Sequence, residues 1–362
     1  KIAMNKKVLI ITNHRKNRSP GQRFRFEQYL DYLDNNSFDI NFSFLLDEKD
    51  DKHFYDNSFP IYKALILLKS FLKRLFEVKT YNNYDIIFVY REAFFTGSTY
   101  FEKKIAKSTA KLVFDFDDAI WLHDVSAGNK KWGWLKNAGK TVDIIKLADM
   151  IFAGNQYLVD FASIYNSNVK LIPTTIDTNH HIIINNKPDN NKICIGWTGS
   201  ATTLKYFDQF LPVFIKLKEK YPTQIMFKII VDTKKYYPEL NTNTTLWSLK
   251  TEIAELNKID IGIMPLPDDK WAKGKCGFKG LQYMSLGIPT IMSPVGVNKD
   301  IITDGVNGFL ANSEKEWITK LSLLIEDKDL RGVTGSSGKK TILANYSTEA
   351  IKSKYLQYLQ SI

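Results

Sequence analysis

The run FDFDDAIW (114–121) sets Asp115, Asp117 and Asp118 at the end of an apolar segment. Three aspartates in four positions admit three chemistries. Asp115 and Asp117 can hold a divalent metal against a nucleotide diphosphate. Asp115 can attack as a nucleophile with Asp117 as acid and base. Or the three carboxylates orient an acceptor hydroxyl or the loop that follows, where His123 adds a polar contact. A second constellation, PLPDDKWAKGKCGFKGLQYMSLGIPTIMSPVG (265–296), carries Gly274 and Gly277 and sets Lys275 and Lys279 around a helix start near Phe278. Two cations and the N–H groups of a helix start aimed at one spot make a diphosphate-sized site. A third, GWTGSATTLKYF (196–207), turns at Gly199 and Ser200 into a helix with Lys205 in its first turn, again suited to phosphate. A fourth, NHRKNRSPGQRFRFEQYL (13–30), offers Gly21 as a source of an unusual backbone angle before a helix that carries Arg23 and Arg25. It is not the GxGxxG pattern of a dinucleotide site, so a dehydrogenase is not indicated.

These residues need strands and helices to position them. KVLIIT (7–12), FDINFSFLL (38–46), YDIIFVY (84–90), AKLVFDF (110–116), ADMIFAG (148–154) and VKLIP (169–173) read as buried strands. Helical patterns at 23–32, 61–76, 100–108, 142–148 and 155–165 alternate with them, which predicts a mostly parallel sheet covered on both faces. Polar residues and a Pro at 178–191 read as a linker. The alternation then restarts with strands at 192–199, 224–232, 244–249, 259–266, 289–293 and 308–311, and helices at 204–221, 278–286 and 314–326. The expected domains are 1–180, 181–345 and a last helix, 346–362, that packs back on the first domain. Ligands of such sheets bind beyond the carboxyl ends of the strands, so the crevice between the domains is the expected site.

Composition bounds the class. The 362 residues are 44% apolar and 25% charged, ordinary for a globular chain of about two domains. Two cysteines exclude a disulfide scaffold and a cysteine-based zinc cluster. No run of about 18 apolar residues is present, and the N-terminus lacks a signal-peptide pattern, so a cytoplasmic protein is expected. The net charge of +11 favours anionic partners, from nucleotides to membrane surfaces.

Taken in order, RFRFEQYL (23–30), VFDFDDAIW (113–121), AGNQYL (153–158), IPTTID (172–177), IGWTGS (195–200), DIGIMPL (260–266), GKCGFKGLQYMSLGIPTIMSPVGVN (274–298) and DGVNGFLA (304–311) resemble a family-4 glycosyltransferase over nearly the whole chain. The resemblance implies an α/β GT-B fold, two Rossmann-like doubly wound domains facing each other across a cleft. It implies a retaining sugar transfer from a nucleotide-sugar (UDP- or GDP-linked) donor to a glycan or lipid-linked acceptor, in cell-surface polysaccharide or glycoconjugate synthesis. No cofactor, metal or nucleic acid is implied. Gly199, Ser200, Lys205, Lys275, Gly277, Phe278, Lys279 and Gln282 would hold the donor, with Lys205 and Lys279 also acting in catalysis beside Asp115, Asp117 and Asp118. Gly21, Arg23, Arg25, Arg91 and His123 would face the acceptor. The chain departs from the family where an Arg is usual (Ser200) and where two Glu are usual (Gly274 and Gln282). The FDFDD letters also resemble the nucleophile strand of haloacid-dehalogenase phosphatases, which supplies an alternative activity. A nucleotide-sugar-binding protein without turnover is the third reading.

One basic amphipathic segment, IYKALILLKSFLKRLFEVK (61–79), lies outside these sites. Ile61, Leu65, Leu68, Leu72, Leu75 and Phe76 share a helical face, with Lys63, Lys69, Lys73 and Arg74 on the other side. Such a helix either lies in an anionic membrane interface, on the inner face of the cell membrane, or buries its apolar face in the first domain.

Overall fold

The computed structural model describes residues 5–55, 60–122, 137, 139–184 and 192–362. His123, half of the interval expected as a linker (185–191) and the first four residues lie outside this set. The chain divides into two compact units, Lys1–Pro173 with Lys352–Ile362, and Thr174–Ile351.

The first unit is built on six parallel strands: β1 (Lys6–His14), β2 (Phe38–Leu46), β3 (Ile86–Tyr90), β4 (Lys111–Phe116), β5 (Met150–Ala153) and β6 (Val169–Leu171). Their order is β2-β1-β3-β4-β5-β6, so the connections reverse direction between β1 and β3. The central strands β1, β3, β4 and β5 are short β-branched and aromatic runs buried on both faces over most of their length, as a helix-covered parallel sheet demands, while the edge strands β2 and β6 are partly exposed. Helices α1 (Pro20–Arg25), α2 (Leu30–Asp34), α3 (Glu48–Phe54), α4 (Pro60–Glu77), α5 (Tyr100–Ala106), α6 (Gly139–Leu147) and α7 (Gln156–Ser163) connect them. The helix expected over 23–32 is interrupted at Phe26, which leaves helical geometry at φ −140°. Its ring is buried against Phe42, Phe88 and Tyr90, and this packing overrides local propensity.

The second unit holds β7 (Ile193–Thr198), β8 (Ile225–Val231), β9 (Tyr236–Tyr237), β10 (Thr242–Leu246), β11 (Ile261–Met264), β12 (Thr290–Met292) and β13 (Phe309–Leu310). The order is β13-β12-β11-β7-β8-β10-β9, parallel except for the β9–β10 pair, and it reverses between β7 and β11. Its helices are α8 (Leu204–Gln209), α9 (Leu211–Lys220), α10 (Glu252–Leu256), α11 (Lys270–Lys273), α12 (Phe278–Ser285), α13 (Asn298–Ile301), α14 (Glu314–Glu326), α15 (Lys328–Thr341) and α16 (Thr348–Gln360). The residues of α16 from Lys352 onward belong to the first unit. There Tyr355 stacks on Tyr29 at 4.6 Å and packs edge-on against Phe152, and the Lys6 ammonium donates to the carbonyl of Gln360 at 3.0 Å.

Helix α4 turns the opposite way from an ordinary core helix. Lys63, Ile66, Ser70 and Arg74 point inward, while Ile61, Leu65, Leu68, Leu72, Leu75 and Phe76 are exposed. Arg74 is fully buried because its guanidinium is fully occupied. It donates to the carbonyls of Ala93 (2.9 Å) and Thr12 (2.8 Å) and to Ser43 Oγ (2.6 Å), and pairs with Glu77 (2.6 Å). A buried charge is tolerated when it is paired and hydrogen-bonded in this way. The expectation that the apolar face is buried in the first domain is therefore corrected.

Candidate active site

In the second unit the reversal of strand order falls between β7 and β11, and open α/β sheets bind ligands at such points. The loops that leave these two strands are Gly199–Thr203 and Leu266–Gly277, the two segments singled out by composition. Trp197, on β7, is buried to 1% exposure and links them. The Lys279 ammonium lies 5.4 Å from the centre of its ring, a cation–π distance. A Cβ on Gly199 would fall 2.3 Å from the same ring, so only glycine lets the turn approach it. Lys279 and the Gly199 turn thus meet on one indole. Gly277 caps α12 with φ +69°, a conformation in which a side chain is strained, and Ile301 fills the space where its Cβ would be. Phe278 opens the helix, and Lys275, one turn before it, places its ammonium 5.2 Å from the Trp271 ring. The Lys205 ammonium lies over its neighbour Tyr206 and is exposed.

Two expectations change here. The backbone N–H groups of the Gly199 turn are occupied: Gly199 donates to Ile230 (3.0 Å), Ser200 to Thr203 Oγ1 (3.0 Å) and Ala201 to Asp232 (2.6 Å). The turn therefore presents the Ser200 and Thr202 hydroxyls, 2.8 Å apart, rather than a nest of donors. Gln282, expected at the ribose, is 1% exposed and donates to Glu252 Oε1 at 3.3 Å. Glu252, at the start of α10, also accepts from the Trp247 indole at 3.1 Å. So a carboxylate stands beside Gln282 after all, supplied by a different helix. Sequence reading missed it because an acidic residue in the first turn of a helix is commonplace.

In the first unit the reversal lies between β1 and β3, and the polar residues gather at the carboxyl ends of β1, β3 and β4. Asp115 and Arg25 form a fork-to-fork pair, Nε to Oδ1 at 3.0 Å and Nη2 to Oδ2 at 2.8 Å, with both side chains fully buried. The remaining guanidinium nitrogen donates to the carbonyl of Ile172, beyond β6. Burial pushes the Asp115 carboxyl above the ordinary carboxylate range, and Arg25 pulls it back. Asp117 accepts from Tyr90 Oη (2.9 Å) and from Arg91 (2.7 and 2.8 Å), and Asp118 accepts from Arg91 at 2.6 Å. Arg91 adopts φ +61°, a strained conformation for a side chain of its size, and reaches both aspartates from it. Gly21 does not have the unusual backbone angle expected of it. A Cβ there would lie 1.9 Å from Tyr90 Oη, so the glycine makes room for the Tyr90–Asp117 bond. Arg23 is buried over the Phe24 ring. Asp115, Arg25 and Arg23 thus face inward, while Arg91, Asp117 and Asp118 come together near the surface.

Several residues of this edge were not anticipated. His14 ends β1, and its Nε2 lies 3.2 Å from Tyr55 Oη. Burial lowers its pKa to about 4, with Arg18, Arg91 and Arg15 acting in the same direction and Asp51 opposing, so the ring is neutral at pH 7. Arg15 and Arg18 both pair with Asp51 Oδ2, the former at 3.0 Å. Glu92 accepts from Asn13 (3.4 Å) and Lys140 (3.1 Å). The strand runs two residues past the apolar segment, which is why His14 read as loop.

Residues 192–327 match the family model described as Glycosyl transferases group 1. Over the whole chain the fold is that of GT-B proteins. It is similar to HepE of Anabaena in complex with UDP and glucose (TM-score 0.63, 13% identity, 99% of this chain and 100% of that chain). It is similar to sucrose-phosphate synthase of Thermosynechococcus elongatus (0.68, 12%, 99% and 99%). A glycosyltransferase of Rickettsia africae is also similar (0.67, 14%, 99% and 98%). No curated protein matches the chain in sequence. The GT-B fold expected from the resemblance is thereby borne out, and residues 192–327 are similar to group 1 glycosyltransferases.

Proposed function

We propose that the protein transfers a hexose, with retention, from a UDP- or GDP-linked donor to a glycan or lipid-linked acceptor in cell-surface polysaccharide or glycoconjugate synthesis, on the cytoplasmic side. The observation that carries the reading is the meeting of Lys279 and the Gly199 turn on Trp197, at the reversal point of the second sheet. HepE, bound to UDP and to UDP-glucose in its solved forms, supports a uridine nucleotide first. Lys279, Lys275 and the positive end of α12 stabilise the diphosphate as charge develops on leaving. Lys205 adds a third, more mobile cation. Glu252 accepts from a ribose hydroxyl, and Gln282 and the Trp247 indole hold its carboxylate in place. The first unit binds the acceptor through the edge formed by Arg91, Asp117, Asp118 and His14. The Arg25–Asp115 pair acts as a positioning residue pair that fixes β4 beneath that edge.

Transfer then needs no divalent cation, because the FDFDD carboxylates already have arginine partners. The same occupancy counts against a phosphatase: a nucleophilic Asp115 must meet substrate, whereas this one is sealed against Arg25. Calorimetry with UDP and GDP tests the donor site. Removing one charge-assisted contact of roughly 1.5–3 kcal/mol lowers affinity about ten- to a hundred-fold in Lys279→Ala. Unchanged affinity in the folded variant means that the diphosphate binds elsewhere. Tight binding by the native protein with no turnover on any acceptor selects the reading of a binding protein without transfer.

A further inference from the structure

The apolar face of α4 is the largest feature that the sugar-transfer reading leaves unused. Ile61 is 75% exposed, Leu65 56%, Leu68 55% and Phe76 64%, and Leu72 and Leu75 lie between them on the same stripe. The helix has 18 residues, so the stripe is about 27 Å long and roughly 100° wide. Contiguous apolar patches of this extent mark binding surfaces. The opposite face cannot be turned outward instead, since Arg74 is locked to the carbonyls of Thr12 and Ala93.

The charge around the stripe selects the occupant. Residues 60–111 carry ten Lys or Arg against four Asp or Glu, and of these cations Lys79, Lys103, Lys104 and Lys107 are exposed. Phe71 of α4 packs against Phe94 and Phe101, which brings α5 alongside with Lys103, Lys104 and Lys107 exposed. Lys79 lies over the Phe76 ring and Lys104 over the exposed ring of Tyr100, so ammonium groups flank the apolar residues. Lys69 is paired with Asp47 and Asp50, Arg91 with Asp117 and Asp118 and Lys111 with Asp149, while Lys63 and Arg74 are buried. A second copy of the chain docked through this face would bring the exposed Lys79, Lys103, Lys104 and Lys107 of one copy against those of the other, which disfavours a symmetric dimer. Among the described residues no helix is long and apolar enough to cross a membrane.

We infer that α4 docks the first unit on an anionic lipid bilayer, lying in the interface plane with its leucines and Phe76 inserted and the α5 lysines over the headgroups. This inference goes beyond the proposed transfer reaction and stands whether or not that reaction is correct. The experiment is co-sedimentation of the full chain with vesicles of phosphatidylcholine alone and with added phosphatidylglycerol. The native protein sediments with the anionic vesicles, and the bound fraction falls as salt rises toward 0.5 M. Leu68→Ser with Leu72→Ser weakens partitioning roughly thirty-fold or more, since two buried leucines are lost. Its melting temperature stays near the native value because both side chains are solvent-exposed in the native protein. Replacing Lys103, Lys104 and Lys107 by Glu weakens binding to anionic vesicles and leaves the weak binding to neutral ones unchanged. Failure of the native protein to bind anionic vesicles overturns the inference. So does a dimer in analytical ultracentrifugation that the Leu68→Ser, Leu72→Ser variant dissolves, which assigns the face to a second copy.

Discussion

Asp115→Asn separates a structural carboxylate from a reacting one. In the native protein each Asp115 oxygen accepts from Arg25, at 3.0 and 2.8 Å, with neither side chain exposed. The amide keeps one acceptor and sets an NH2 group against the other guanidinium N–H. One charge-assisted bond is lost, about 1.5–3 kcal/mol, and the Arg25 cation is left buried without its counter-charge. Breaking a buried pair in this way costs about 3–5 kcal/mol, a large part of the 5–15 kcal/mol that holds a typical domain folded. For a domain of this size the melting temperature falls by roughly 6–20 °C. Scanning calorimetry reads the change, and only the transition of the first unit moves. Arg25→Met combined with Asp115→Leu recovers most of the loss, because an apolar pair of similar volume avoids the stranded charge. If Asp115→Asn melts within about a degree of the native protein yet has lost all activity, the carboxylate touches the reactants and its structural assignment is wrong.

Other outcomes follow from the same geometry. Glu252→Gln lowers UDP and uridine affinity about five- to ten-fold and leaves pyrophosphate binding unchanged, since a neutral acceptor replaces a carboxylate at the ribose; equal weakening of all three in calorimetry would place Glu252 elsewhere. His14 has a folded pKa of about 4 against an ordinary 6.5, so the unfolded chain binds the extra proton between these values. Its stabilising contribution is complete above pH 6.5 and is lost as pH falls toward 4, by at most about 3 kcal/mol because the ring keeps some contact with water; His14→Gln flattens that slope in urea titrations, and an unaltered slope would move the effect to another group. Transfer persists after EDTA dialysis, with no stimulation by Mg²⁺ or Mn²⁺ in a radiolabelled-donor assay; a strict metal requirement would mean that Arg91 releases Asp117 and Asp118. Gly335→Ala destabilises the second unit by about 1–3 kcal/mol, because its Cβ would lie 2.0 Å from the Gly287 carbonyl oxygen, and a variant as stable as the native protein in urea would show that α15 can shift.

Strand positions were legible in the linear chain because a parallel sheet needs short apolar runs, and β2 and α14 fall at their expected bounds. The glycine- and lysine-bearing loops after β7 and β11 were legible as strand-to-helix turns, since each follows an apolar run and precedes a helical pattern. Helix α15 was not: its Gly332, Gly335 and Gly338 argue against a helix locally, and the latter two are there to let neighbouring backbone approach. The pairing of each charge was also invisible. Asp115 and Arg25 lie 90 positions apart, Gln282 and Glu252 lie 30 apart, and spacing does not report which cation reaches which carboxylate. The amphipathic period of residues 61–79 was plain from the chain alone, but a period has no sign. It specifies that one face is apolar, and only the hydrogen bonds that bury Arg74 decide that this face points outward.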